Sequence, residues 1–360
     1  MLKDNFDIKY KNVRPANYKK YNIAIIGAGN IVENSHLPCY KEADLNVTNI
    51  YDLDLNKSIH LKNKFSINKY SKSLEELFQD KIIDIVDIAV PAEYNKELFF
   101  EASKHNKNIL IQKPLSNNIS EAKEILKKYK ESDLKANVNH QMRYSPSIRA
   151  AGYLIKNNIL GNVLEFNFFT KRKTDWSKWP WLEKIDYPEV WYNSIHYIDS
   201  IRYLFGEPIK LNSKLLTHPK SNLTKPTRTY INFEFDNNLF GSLNISHDSL
   251  LSSNKWVAGF EIEGVKGSCT GRISSMIGDG KTFKDKISLS AQLENQLFEI
   301  EKELDGRWFS NSFSGPMFSL IESIELDTEP ETSIVDAYET MKLVDCVVKS
   351  HESGEILSCN

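Results

Sequence analysis

Short apolar runs alternate with longer amphipathic stretches through the first 140 residues. Asn22–Ile26 is an apolar run stopped by Gly27, Val47–Tyr51 reads as a strand ending at Asp52, and Ile82–Val90 is β-branched and stopped by Pro91. Asn108–Ile111 predicts a fourth strand, just before Lys113-Pro114, and Lys135–Val138 a shorter fifth. Between them, Glu93–His105 and Ser120–Tyr129 carry the clearest helical periodicity. Such alternation predicts right-handed βαβ units and a parallel sheet buried on both faces. The expectation is an α/β Rossmann-type domain over residues 21–140, preceded by a polar extension, residues 1–20.

The second half has a different rhythm. A predicted helix, Pro146–Asn157, leads through Gly161 into a long alternating stretch, Val163–Lys173, and a second helix, Val190–Phe205, is stopped by Gly206 and Pro208. Strand-like runs then follow with few helices between them: Lys210–Thr217, Thr229–Phe235, Leu239–Ser246, Val257–Glu263 and Gly267–Ile273. Asp236-Asn237-Asn238 has the residues of a hairpin turn. Helices at about Phe313–Glu325 and Ser333–Ser350 close the chain. Consecutive strands after helices predict an α+β domain on one open, largely antiparallel sheet, residues 141–360.

At 360 residues the chain exceeds what one hydrophobic core usually serves, in keeping with two domains. A formal net charge of −2 gives no long-range attraction to nucleic acid or to an anionic membrane. No apolar run reaches the roughly 18–20 residues that span a bilayer, and the first 20 residues have no apolar stretch of a secretory signal. Cys39, Cys269, Cys346 and Cys359 are scattered without CxxC spacing, and no His/Asp cluster argues for a metal. The expectation is a cytoplasmic protein without a nucleic-acid or membrane partner.

Gly27-Ala28-Gly29-Asn30-Ile31-Val32 follows directly on the first strand. The first glycine permits a tight turn, the second lets backbone approach a pyrophosphate, and the next helix points free N–H groups at it. Val32 stands where a third glycine is usual. A ligand-free turn would use the same glycines, but Asp52 at the end of the second strand is suitably spaced to accept hydrogen bonds from a ribose diol. Its charge would repel a 2′-phosphate, which favours NAD over NADP; its alternative role is to cap the next helix.

Several motifs in order resemble the glucose–fructose oxidoreductase / inositol 2-dehydrogenase / MocA family of sugar and polyol dehydrogenases. GAGNIV is followed by His36-Leu37-Pro38, strand-end Asp52, Val86–Pro91, Gln112-Lys113-Pro114, the Asn139–Pro146 segment and a helix bearing His196. The resemblance runs from about Tyr21 to Gly354. It implies an NAD(P)-dependent enzyme moving a hydride between nicotinamide and a hydroxyl-bearing carbon of a sugar, sugar acid, polyol or nucleotide-linked sugar. It also implies a homodimer or homotetramer paired through the open face of the second sheet, for which Thr229–Phe235 and Leu239–Ser246 carry apolar residues. Departures are Gln112 for an acidic residue, Asn95 where His is common, Tyr192 where many members carry Asp, and Asp186–Trp191 in place of a Gly-rich lead-in. With them, NAD-assisted glycoside cleavage or epimerisation, or a non-catalytic NAD-binding regulator, remain alternatives.

The catalytic candidates are Lys113, His196 and Tyr192. Lys113 lies just past a strand's carboxyl end, where its ammonium can stabilise a developing alkoxide or move the proton. The resemblance brings Lys113 and His196 together on the reacting hydroxyl. Ideal helical spacing places Tyr192, Asn193, His196, Asp199 and Ser200 on one face, where a neighbour fixes the imidazole tautomer. Tyr192 is a hydroxyl donor or a filler. Candidate cofactor contacts are Gly27, Gly29, Asn30, Ile31, Asp52, Pro91, Asn95, Gln112, Lys113, Asn139 and Arg143. Candidate substrate contacts are Tyr144, Lys173, Trp176, Trp181, Asn193 and His196, the tryptophans because aromatic faces stack on sugar C–H faces; a packed loop is the other reading of that Trp-rich stretch. His60, His105, His218, His247 and His351 read as isolated, while His140 adjoins the Asn139–Pro146 motif and stays open.

Overall fold

Strands buried residue after residue need cover on both faces, and the first sheet has that character. The computed structural model describes residues 7–250, 257–274, 283–293 and 296–359. β1 (Ile23–Ile26), β2 (Val47–Tyr51), β3 (Lys69–Tyr70), β4 (Ile85–Ile88), β5 (Asn108–Gln112) and β6 (Ala136–Asn139) pair in the order β3-β2-β1-β4-β5-β6, all parallel. This is the doubly wound Rossmann order, with its switch between β1 and β4. β1 and β4 are buried along their whole length. Their helices are capped by local chemistry: Asn118 Oδ1 accepts the Glu121 amide at 2.9 Å, and Ala122, Ile125 and Tyr129 of helix Ile119–Lys130 turn to the core.

The chain divides into two compact units that are not contiguous in sequence. Residues 12–141 and 310–342 form one; 7–11, 142–309 and 343–359 form the other. The sequence reading assigns residues 310–342 to the second domain, whereas helix Ser314–Leu326 buries Met317, Leu320 and Ile321 in the first core. Asn137 Nδ2 donates to the Pro316 carbonyl at 2.8 Å, and Val138 and Thr332 exchange hydrogen bonds beside it. Periodicity identifies an apolar helix face without naming the sheet that receives it.

The second unit carries β7 (Val163–Lys171), β8 (Lys210–Leu216), β9 (Arg228–Glu234), β10 (Phe240–Ser246), β11 (Val257–Gly264), β12 (Gly267–Arg272), β13 (Lys286–Leu293), β14 (Gln296–Glu303) and β15 (Leu357–Ser358). They form one sheet in the order β14-β13-β12-β11-β7-β10-β9-β8-β15. β7 and β10 run parallel, and the other pairings among the described residues are antiparallel. The Asp236–Asn238 turn joins β9 to β10 with Asn237 and Asn238 at φ 65° and 60°, values Asn tolerates. Inward positions bury Phe166, Phe168, Ile231, Phe233, Leu243, Ile245 and Phe260. Phe166 stacks on Phe205 at 4.3 Å and lies across Gly241, where a Cβ would stand 2.2 Å from its ring.

The period of two sends those residues inward and leaves Phe169, Tyr230 and Phe240 on the opposite face, among polar neighbours. There Ser242 Oγ and Asn244 Nδ2 donate to Asn167 Oδ1 at 2.9 and 3.2 Å, beside Asn232 on β9. Polar and aromatic residues share this face. The N-terminal extension is also less plain than its composition: Ile8 is buried, the Asp305 amide donates to Tyr10 Oη at 3.2 Å, and Tyr18 packs edge-on against Phe318 at 5.4 Å.

Candidate active site

The glycine turn is sterically determined. Gly27 sits at φ +107°, and a Cβ there would stand 2.4 Å from the Ala89 carbonyl oxygen. Gly29 is open, with no atom within 4 Å of an added Cβ. A helix starts at exposed Asn30, with half-buried Ile31 next. Val32, in the place of the third glycine, is fully buried, and the helix is π-wound over Val32–His36. Asp52 bridges two turns: Oδ2 accepts the Ala28 amide at 2.7 Å and Oδ1 the Asp54 amide at 2.9 Å. Asp54, not Asp52, caps the following helix, accepting the Asn56 amide at 3.1 Å. An ionised carboxylate has about four lone-pair sites, so Asp52 keeps acceptor capacity for a diol. Ala28, Gly29, Asn30, Asn56, Lys57 and His60 line a groove of about 480 Å³. An open glycine turn, a helix N-terminus and a strand-end carboxylate fit a dinucleotide.

At the same carboxyl edge, half-buried Lys113 follows β5, before a cis peptide to Pro114. Asn95 is fully buried and opens helix Asn95–Lys104; its Nδ2 donates to the carbonyls of Pro114 at 3.0 Å, Leu115 at 3.2 Å and Gln112 at 3.5 Å. Its amide nitrogen ties down the Lys113 loop. Gln112 Oε1 accepts from Asn139 Nδ2 at 2.8 Å, whose other N–H reaches His36 Nε2 at 3.4 Å. His36 Nδ1 donates to Asp87 Oδ2 at 2.8 Å, and Tyr40 donates to the same oxygen at 2.8 Å. Burial, and then Asp87, push the Tyr40 hydroxyl well above its usual pKa, so it stays a donor. Gln112, Asn139, His36, Asp87 and Tyr40 thus form a buried polar chain from a β5 end to the β4 interior. Gln112 suits it because an amide oxygen accepts from Asn139 without burying a charge. Pro91 is exposed and opens the Ala92–Tyr94 turn.

In the second unit the structure revises several expectations. Arg143, expected at the cofactor, is buried and grips Asp199 with two bonds, Nε to Oδ2 at 2.8 Å and Nη2 to Oδ1 at 2.7 Å. Tyr144 is buried beneath the Arg149 guanidinium, 4.3 Å from its ring centre. Trp176, expected against substrate, is buried with Leu182 and Leu223 and packs 5.1 Å from the His247 ring. Trp181 is 37% exposed and meets the Tyr192 ring edge-on at 5.1 Å. Lys173 is exposed and bridges to Asp248 through the backbone. His196 is buried on helix Ile195–Phe205, edge-on to Trp308 at 5.2 Å. The expected single face changes because Val190–Ser194 is π-wound, which shifts Tyr192 and Asn193 from ideal spacing. Asp199 serves Arg143, and Ser200 Oγ donates to the His196 carbonyl at 2.9 Å, not to its ring.

One cluster escapes sequence reasoning. His247 is buried, and its Nδ1 accepts from Arg172 Nε at 2.9 Å, while Nε2 faces Glu189 Oε1 at 3.1 Å. Arg172 is a donor only, so this ring is the Nε2–H tautomer, donating to Glu189. Burial, and then the Arg172 charge, hold the His247 pKa below its ordinary value. Arg172 Nη2 also donates to Asn193 Oδ1 at 3.2 Å, and buried Glu189 accepts from Ser194 and Thr229. Arg172 and His247 meet because each follows the end of one of the two parallel strands, β7 and β10, an adjacency with no mark in the sequence.

Comparison with known proteins agrees with this geometry. A model of an oxidoreductase family with an NAD-binding Rossmann fold matches residues 21–140, and that family's C-terminal alpha/beta domain matches residues 153–358. The chain is 29% identical over 176 residues to the uncharacterized protein YMR315W of Saccharomyces cerevisiae, covering 44% of this chain and 49% of that one. It is 27% identical over 194 residues to the scyllo-inositol 2-dehydrogenase (NAD(+)) of Bacillus subtilis, covering 52% and 55%. These matches span about half the length of either relative. A solved levoglucosan dehydrogenase, in complex with NADH and levoglucosan, superposes with a TM-score of 0.80 at 18% identity, covering 94% of this chain and 99% of that one; at that identity the likeness speaks for the fold. The chain therefore belongs to the oxidoreductase family that joins an NAD-binding Rossmann fold to a C-terminal alpha/beta domain.

Proposed function

We propose that this protein is an NAD-dependent dehydrogenase or reductase acting on the CH–OH group of a sugar, sugar acid, polyol or nucleotide-linked sugar. The observation that carries the reading is that the Gly27 turn, Asp52 and Lys113 lie at the carboxyl edge of one parallel sheet, where ligands of open α/β folds bind. Family relatives that oxidise inositol and levoglucosan support the substrate class. NAD, when bound, supplies the hydride acceptor or donor. Asn30 and Ile31 offer backbone N–H groups to the phosphates, and Asp52 accepts from the ribose hydroxyls while disfavouring a 2′-phosphate. Lys113, as the neutral amine, takes the hydroxyl proton as the carbonyl forms, and its ammonium returns the proton to that oxygen in the reverse direction. Asn95 and the Gln112–Asn139 pair position that loop. In the second unit His196 is the candidate imidazole and Asn193 a candidate substrate contact, held by Arg172. Trp181 keeps an exposed edge for a sugar face.

We extend the reading to a homo-oligomer of the cytoplasm. The open face on which Asn167, Asn232, Ser242 and Asn244 stand beside Phe169, Tyr230 and Phe240 suits contact between copies, and light scattering of the purified chain gives the oligomeric state. No helix among the described residues is long and apolar enough to cross a membrane.

The test is Lys113→Ala assayed by absorbance at 340 nm against a panel of polyols and sugars, with NAD titrated by calorimetry. Turnover of the wild type should fall about 10²–10⁴-fold in the variant, with NAD affinity retained. Undiminished turnover in the variant removes Lys113 from the chemistry.

A further inference from the structure

Two of the four cysteines meet at the far end of the chain. Cys346 lies on the last helix, Ile334–Ser353, and Cys359 thirteen residues later, just beyond β15; their Sγ atoms are 3.9 Å apart. Both are partly exposed. Each sits on a fixed backbone. Cys346 is within a helix, while Leu357 and Ser358 pair with Leu211 and Lys210 of β8 and the Cys359 amide donates to the Ile209 carbonyl at 3.0 Å. A disulfide needs its sulfurs about 2.05 Å apart, so closure asks for an approach of about 2 Å, within reach of side-chain rotation. We infer that Cys346 and Cys359 form a reversible oxidative modification site, a dithiol that a low-molecular-weight disulfide of the glutathione type converts to an intramolecular disulfide tying β15 to the last helix.

The remaining cysteines make the reaction selective. Cys39 and Cys269 are buried, and burial pushes each thiol up to about 12, leaving almost no thiolate at neutral pH. Cys346 differs: the hydrogen bond from the Cys359 thiol holds its pKa below the ordinary value, Lys349 adds a smaller pull in the same direction, and burial and Asp345 oppose them. Cys346 is accordingly the attacking thiolate. It displaces one glutathione thiolate from the oxidised reagent, forming a mixed disulfide on its own sulfur. Cys359 then loses its proton and attacks that sulfur, and the second glutathione leaves as a thiolate. The two electrons lost by the protein thiols reside in two glutathione thiols.

The experiment uses the full chain with oxidised glutathione as the probe. Thiol titration of the denatured product should count two thiols instead of four, the mass should fall by two hydrogen atoms, and non-reducing digestion should yield one peptide pair joining Cys346 to Cys359. Dithiothreitol should restore all four. In the oxidised form the Cys359 amide should exchange hydrogen at least about tenfold more slowly, because the strand can no longer fray from the helix. Cys346→Ser and Cys359→Ser should each abolish the linked peptide; Cys359→Ser should leave one glutathione adduct on Cys346, and Cys346→Ser, which lacks the attacking thiolate, should leave none. Two independent adducts on the wild type, or a disulfide only between chains, would overturn the assignment. The wild-type peptide map decides the matter even if a serine variant fails to fold.

Discussion

Asn95→Asp isolates the hold on the Lys113 loop, because the exchange keeps shape and volume and removes only the amide N–H donors. In the wild type the bonds to Pro114 and Leu115, at 3.0 and 3.2 Å, are of good length, and the third, at 3.5 Å, contributes little. Asn95 is fully buried, so an aspartate there faces carbonyl oxygens out of water and takes up a proton. The protonated acid donates one hydrogen bond where the amide made two, and a buried carbonyl left unpaired costs about 1–3 kcal/mol. Around 2 kcal/mol corresponds to a roughly 30-fold larger open population. The introduced carboxyl has a folded pKa raised above its unfolded value near 4, so its protonated state supports the fold below that pH. This support is lost as pH rises through the raised folded pKa. Hydrogen exchange of the amides of residues 112–118, read at pH 5 and pH 8 against wild type, measures both effects. The expected result is a loss of protection at pH 5 that grows at pH 8. Wild-type protection, or a loss independent of pH, would refute the role given to Asn95.

Two further predictions rest on the second unit. Arg143→Lys keeps the charge but loses the two-pronged grip on buried Asp199, and should lower stability by about 1–3 kcal/mol in denaturant titration; an unchanged midpoint would count against the pair. The depressed pKa of His247 means that the unfolded chain binds its proton first, so stability should fall as pH drops below about 6.5 and toward the lower folded pKa. The thermal midpoint measured between pH 7.5 and 5 should lose part of that slope in His247→Gln.

The fold class was legible because its signals are local. Apolar runs that end in Gly27, Asp52 and Lys113-Pro114 mark both the parallel strands and the edge where chemistry collects, and Asp236–Asn238 marks its hairpin. What escaped depends on distant pairings. The helix that begins at Ser314 looks the same in sequence whichever sheet it covers. His247 reads as isolated because its partners lie 58 and 75 positions away. Trp176 and Arg143 have the composition of ligand contacts, and only packing reveals that one fills a core and the other grips a buried carboxylate. Two π-wound segments, Val32–His36 and Val190–Ser194, break the ideal spacing on which face assignments rest.

The parallel pairing of β7 with β10 has a consequence for biosynthesis. β7 occupies a central place, yet its flanking strands begin only at Phe240 and Val257, after most of the intervening chain has been made. At about 5–20 residues per second, Phe166 and Phe168 emerge from the ribosome roughly 4–20 s before their neighbours exist. The nascent chain therefore carries a bare aromatic ribbon through that interval. Its shelter then comes from the adjoining helix through Phe205, or from a chaperone, well before any β-ladder can close over it.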